Sequence, residues 1–278
     1  MTARTFLVRG LLAGLIAGLF TFLVAFTVGE PPIDSAISLE EAASAAEAPE
    51  TVADDAAHEH ADEAAHEHGD EAAHEHEHSE AAGGHSHGDE GGGISRDTQK
   101  TWGLATATVA IGVALGGIVA LVAAAAAGRL GRLRLVGSTA LVTALGFVAF
   151  ALVPFLKYPA APPAVGSGDT IGERTSYYFM FLLISLAAMV IAVVVAKQIA
   201  PRIGGYWAIV ASAVGYVVVV AVAAAVMPAV NELGDFPADV LWEFRVSSLL
   251  TLAALWGSLG IALTALLARV PQRTAALA

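Results

Sequence analysis

The sequence predicts an all-α integral membrane protein of about six transmembrane helices, with one long, disordered, His- and acid-rich outer loop. Three observations predict it. The 278 residues are 56% hydrophobic and only 14% charged, too apolar for an ordinary water-soluble domain. Uncharged runs near the length of about 20 residues needed to cross the hydrocarbon core recur along the chain. All nine histidines fall between His58 and His87. The implied organisation is a first membrane helix over 1–28, an extracytoplasmic acidic His-rich loop over 29–100, and a five-helix membrane bundle over 101–278.

The apolar runs are Thr5 to Val28, Gly103 to Ala127, Leu135 to Leu156, Ser176 to Ala196, Tyr206 to Met227 and Val246 to Ala268. Only the first holds a charge, Arg9, close enough to its end for the side chain to snorkel to the headgroups. Read as a secretory leader, that first run is too long for a signal core and lacks a small-x-small site before Glu30. Gly10, Gly14 and Gly18 repeat every four residues along it, a stripe that lets a second helix approach closely.

Lys and Arg are retained on the cytoplasmic side of spans, which fixes the expected orientation. With both termini inside the plasma membrane, Arg4, Arg9, Arg129, Arg132, Arg134, Lys197, Arg202, Arg269 and Arg273 are cytoplasmic, nine of the 14 basic residues. Every Asp and Glu then lies outside. Of the 26, twenty sit between Glu30 and Asp97.

The long loop carries a degenerate octad: Ala56-Ala-His58-Glu-His60-Ala-Asp-Glu63, Ala64-Ala-His66-Glu-His68-Gly-Asp-Glu71, then Ala72-Ala-His74-Glu-His76-Glu-His78, followed by His85 and His87 among glycines. This composition has nothing with which to build a core, so a solvated, disordered segment is expected. Neutral imidazole suits cobalt, nickel, copper and zinc, and the interleaved carboxylates add oxygen ligands and attract cations. Many equivalent weak sites for a divalent transition metal follow. Because histidine titrates near pH 6.5, binding is expected to weaken below about pH 6.

Glu30 and Asp34, with Glu40 and Glu41, form either a carboxylate cluster near the membrane or the solvated start of a short helix, since Ser38 and Glu41 have capping-box spacing. The loop from Lys157 to Arg174 is broken by Pro159, Pro162, Pro163, Gly166 and Gly168, and its Lys157, Asp169, Glu173 and Arg174 are candidates for pairing across helix ends. In the last outer loop Asn231, Glu232 and Asp235 are oxygen donors at the mouth of the bundle, or plain interface residues. Glu30, Asp34 and Glu232 join the histidines as candidate metal ligands. Hydroxyls inside the spans include Thr106, Thr108, Thr139, Thr143, Ser185, Ser212, Ser247, Ser248 and Thr251, and no Asp, Glu, His, Lys or Arg lies mid-span.

Other chemistries fit poorly. There is no cysteine for thiolate sites. No P-loop occurs, and the H-E-x-x-H and G-x-S-x-G strings that do, His74 to His78 and Gly84 to Gly88, fall in the tract expected to be disordered, with no helix or elbow expected to carry them, so an enzyme is not expected. Basic residues are few and scattered, which argues against nucleic acid and leaves the lipid bilayer as the main partner.

Three outer-loop phrases, Gly29-Glu-Pro-Pro-Ile-Asp-Ser-Ala-Ile-Ser-Leu-Glu-Glu41, Lys157-Tyr-Pro-Ala-Ala-Pro-Pro-Ala-Val-Gly166 and Asp235-Phe-Pro-Ala-Asp-Val-Leu-Trp-Glu-Phe-Arg245, resemble the CbtA family of predicted cobalt transporter subunits. The resemblance spans essentially the whole chain apart from the His tract. It implies a membrane component of cobalt uptake tied to vitamin B12 supply, with a small histidine-bearing membrane partner, CbtB. Ala161 stands where the family pattern has Asn, which removes one polar ligand. Uptake of a divalent metal, cobalt first and nickel or zinc after it, is therefore the expected function. A membrane-anchored metal buffer or sensor without a transport path is the competing one.

Overall fold

A computed structural model describes residues 2–47, 94–131 and 133–269. The nine histidines, Arg132 and Arg273 lie outside the described residues. Hydrocarbon offers the backbone no hydrogen-bond partners, so a crossing segment must satisfy its own. The chain does so with six helical segments long and apolar enough to cross a membrane: Ala3–Ala45, Arg96–Ala126, Leu135–Lys157, Gly168–Ile203, Gly205–Val226 and Ala238–Ala268. No strand occurs among the described residues. The protein is an all-α, multi-pass membrane protein.

Several of these segments exceed the expected runs because they continue past the apolar stretch. The first is α1 (Ala3–Val24), a π-helical turn (Ala25–Gly29) and α2 (Glu30–Glu47) without a break. Pro31 and Pro32 would ordinarily end a helix, since each lacks an N–H and its ring strikes the carbonyl four residues earlier. The wider π turn just before them changes which carbonyls lie under the rings, so the helix continues. The capping-box expectation fails for the same reason: Ser38 lies inside α2 and donates to the Ser35 carbonyl at 2.8 Å instead of starting a helix. The third segment repeats the device, with α5 (Leu135–Gly146), a π turn (Phe147–Leu152) and α6 (Val153–Lys157), which carries Pro154 in its first turn. The second begins as a single turn, α3 (Arg96–Thr98), then a π turn (Gln99–Gly103), then α4 (Leu104–Ala126). The last three are α7 (Ile171–Ile203), α8 (Gly205–Val226) and α9 (Ala238–Ala268). Only Gly204 joins α7 to α8, and its φ of +83° is the left-handed conformation glycine tolerates best.

Lipid tails are as apolar as leucine, so burial does not drive helices together in a membrane; close packing does. The glycine stripe of α1 meets a second one on α4, Gly112 and Gly116. A Cβ placed on Gly10, Gly14 or Gly18 would overlap α4 backbone, and one on Gly112 or Gly116 would overlap α1. On the other side of α1 lies α9, whose Leu255, Leu259, Leu263 and Leu267 recur every fourth residue and are buried with Phe6, Ala13, Val119 and Ala123. Trp256 packs on Phe150 at 6.0 Å and covers Gly146. The hairpin of α7 and α8 joins through the third segment, where the buried Ser185 donates to the Ala149 carbonyl in the π turn and pairs with Tyr216 on α8. Trp102 and Trp242 stand exposed near the tract-side ends of their helices, and Tyr206 and Trp207 near the opposite ends, as interfacial aromatics do.

Candidate functional site

Two of the three π turns meet at one site, and the helix after the other adjoins it. Ala25 and Gly29 of the first, Phe150 and Ala151 of the third, and Leu104 just after the second line one cavity of about 830 Å³ at the end of the bundle from which the tract departs. A π turn leaves backbone out of register and is a frequent mark of functional sites. Its polar lining comes from Glu30, Lys157, Arg174, Glu232 and Arg245, with Ser247, Ser248 and Thr251 deeper along α9.

Each wall has a local cause. Glu30 opens α2 directly after its π turn and is only 7% exposed. A carboxylate this buried requires a cation, and Arg96 supplies it: its guanidinium contacts Glu30 and, at 2.8 Å, Asp34 one turn further on. Arg96 is held in turn by its place in α3, where Ser95 caps the first turn by accepting from the Thr98 N–H. Thus the two predicted carboxylates do share a face, and a cation that sequence reading left unpaired sits between them.

The opposite wall ties two loops together. Glu232 accepts hydrogen bonds from Thr170 Oγ1 at 2.9 Å and the Ser167 N–H at 3.1 Å, and lies 3.5 Å from Arg174. Lys157 donates to the Met227 carbonyl at 3.1 Å, and Tyr158 OH to the Pro228 carbonyl at 2.8 Å. Arg174 also donates to the Ser167 carbonyl and lies against Gly166, where φ is +102° and any Cβ would strike the guanidinium. Of the four residues expected to pair across helix ends, Arg174 forms an inter-loop ion pair, Lys157 a carbonyl bond, and Glu173 accepts from Tyr177 on its own helix.

The Thr170 hydroxyl, the Ser167 N–H and the Arg174 charge hold the Glu232 carboxyl below the usual glutamate range. A depressed carboxylate adds stability that is present above its ordinary value and is lost as pH falls through the lowered one. Exchange of the Ser167 amide, which donates to Glu232, is therefore expected, relative to its intrinsic rate, to stay slow through the ordinary glutamate range and accelerate only in stronger acid. Thr170→Val removes the largest cause and should move that acceleration to higher pH; an unchanged profile would refute the role of this bond.

Most intramembrane hydroxyls named by the sequence turn back onto their own helices. Thr139 and Thr143 donate to the carbonyls four residues earlier, as do Thr106, Thr108 and Thr251. Among the described residues no three His, Asp or Glu side chains gather as a metal site. Glu30 and Glu232 face one cavity but from separate walls.

The three phrases noted in the sequence, 130 and more residues apart in places, all reach this cavity: Gly29, Glu30 and Ile33 from the first, Lys157 through Ala161 from the second, Phe244 and Arg245 from the third. A family model described as "Probable cobalt transporter subunit (CbtA)" matches residues 3–268. The chain belongs to the CbtA family. No curated protein and no solved structure matches it. The CbtA description supports a transition metal as the substrate. Ala161, the position where the family pattern suggested Asn, lines the cavity as an apolar residue.

Proposed function

We propose that this CbtA protein is the membrane subunit for uptake of a divalent transition metal, cobalt in the first place, across the plasma membrane with both termini cytoplasmic. The histidine tract, His58 to His87, collects the ion outside; a small CbtB-like membrane protein is its partner. One juxtaposition carries this reading. Arg96, shortly after the tract in sequence, grips Glu30 in the cavity wall, so the described chain resumes after the tract beside the cavity that the family phrases line. An ion released by imidazole there meets Glu30 and Asp34 first, and Glu232 across the mouth. These three are the oxygen ligands we assign to the handover, with Arg96 displaced as the cation arrives.

Cobalt accumulation in proteoliposomes containing the protein, alone and with the small partner, is the test, repeated with nickel and zinc. Uptake above protein-free vesicles is expected for cobalt. Deleting residues 56–88 should lower uptake at scarce metal and spare it at high metal, because a collecting segment changes local concentration and not the path. If no metal enters faster in any combination, transport is wrong, and metal retained by the protein without entry would identify a buffer instead.

A further inference from the structure

We propose that the cavity is also a binding site for an anionic amphiphile, an apolar body bearing a phosphate or carboxylate head, held by Arg245 and Lys157. The inference goes beyond metal uptake and does not depend on it. Three cations and two carboxylates line the cavity, and both carboxylates are already engaged, Glu30 by Arg96 and Glu232 by Arg174. Among the described residues Lys157 and Arg245 have no ion pair, and Arg245 Nε is buried with no hydrogen-bond partner. Lys157 spends one donor on the Met227 carbonyl and keeps two. A buried guanidinium N–H left unmatched is costly, and an oxyanion is the partner that satisfies it best.

The remaining wall describes the rest of the ligand. Phe150, Phe155, Phe179, Phe244, Leu104 and Leu252 give the cavity a mainly apolar surface, and its volume is that of an organic molecule and not of a hydrated ion. Charge at one part and hydrocarbon along the other is the complement of an amphiphile. The bilayer supplies one source, an anionic phospholipid; a diffusible aliphatic carboxylate is the other.

The full-length protein in a neutral detergent, free of added metal, is titrated with dioctanoyl phosphatidylglycerol, with laurate, and with dioctanoyl phosphatidylcholine as the zwitterionic reference. Saturable binding of phosphatidylglycerol or laurate, tighter than phosphatidylcholine and weakened at least about tenfold by Arg245→Gln, is expected. Phosphatidylglycerol alone would assign a lipid phosphate, laurate alone a carboxylate. Lys157→Gln gives a second reading if Arg245→Gln does not fold, and Arg129→Gln, near the opposite end of the bundle, should leave binding unchanged. Equal binding of all three amphiphiles, or affinities untouched by both cavity substitutions, overturns the proposal. Because metal is absent, a failure here leaves the transport reading standing, and the reverse also holds.

Discussion

Gly14→Val should prevent the first span from seating against α4 and cost the fold about 3 kcal/mol or more. A Cβ at this position overlaps the carbonyl of Gly112 and the Cα of Val113, both backbone atoms inside a helix, so no side chain can swing away. The two helices must separate, and everything that rests on α1 moves with it: the α9 contact through Ala13 and Ala17, and the π turn that presents Glu30. Thermal unfolding and gel filtration in detergent read the effect as a lowered midpoint and loss of the monodisperse species. Two controls separate close approach from glycine chemistry in general. Gly117→Ala meets only leucine side chains that can turn aside, and Gly215→Ala meets nothing, so both should fold normally. A Gly14→Val protein with the parent's midpoint would show that the stripe is not the contact that holds these helices.

Arg96→Leu is expected to be the second large loss, about 3 kcal/mol, because it strands a buried carboxylate. Glu30 is the costly member; Asp34, on the same face, is half-exposed and can be solvated when the guanidinium leaves. Replacing both members of the buried pair, Arg96→Leu with Glu30→Leu, should recover most of the stability, since no unpaired charge remains inside. The double-mutant cycle, read by the same unfolding midpoint, isolates the pair: additive losses would mean that Arg96 and Glu30 act separately. The same set separates stability from handover. Glu30→Gln in the Arg96→Leu background should fold, and on the proposed route it should also lower metal uptake.

Much of this was legible in the sequence. The six apolar runs each became a span, because the cost of unsatisfied backbone in lipid leaves a long uncharged stretch little choice but helix. Gly10, Gly14 and Gly18 announced a close helix contact, and α4 supplied it. What failed was punctuation. The first run was expected to end at Val28 and a short helix to start at Ser38 with Glu41, yet one helix runs through Pro31 and Pro32 and past both, since a π turn is a tertiary accommodation with no local signature. Arg96 was missed as a partner for Glu30 and Asp34 because they are 66 and 62 residues away, with the whole tract between them. In the sequence Arg245 only ends the third family phrase, one residue before the last apolar run. The start of α9 at Ala238 sets it within the helix, against the cavity, with Nε unsatisfied.

By itself, then, the sequence determined that this chain lives in a membrane, where its spans run, which face of the first span is smooth, and that its histidines gather in one acidic tract. Those properties depend on composition and spacing over a few turns, where solvent and helical period decide. Only the tertiary structure decided that three phrases scattered along the chain close around one cavity, that Glu30 and Glu232 are held by arginines on separate walls, and that Lys157 and Arg245 form no ion pair among the described residues. Charge pairing falls off within a few ångströms, so which residues neutralise one another follows from how the helices pack, and sequence distance carries no record of that.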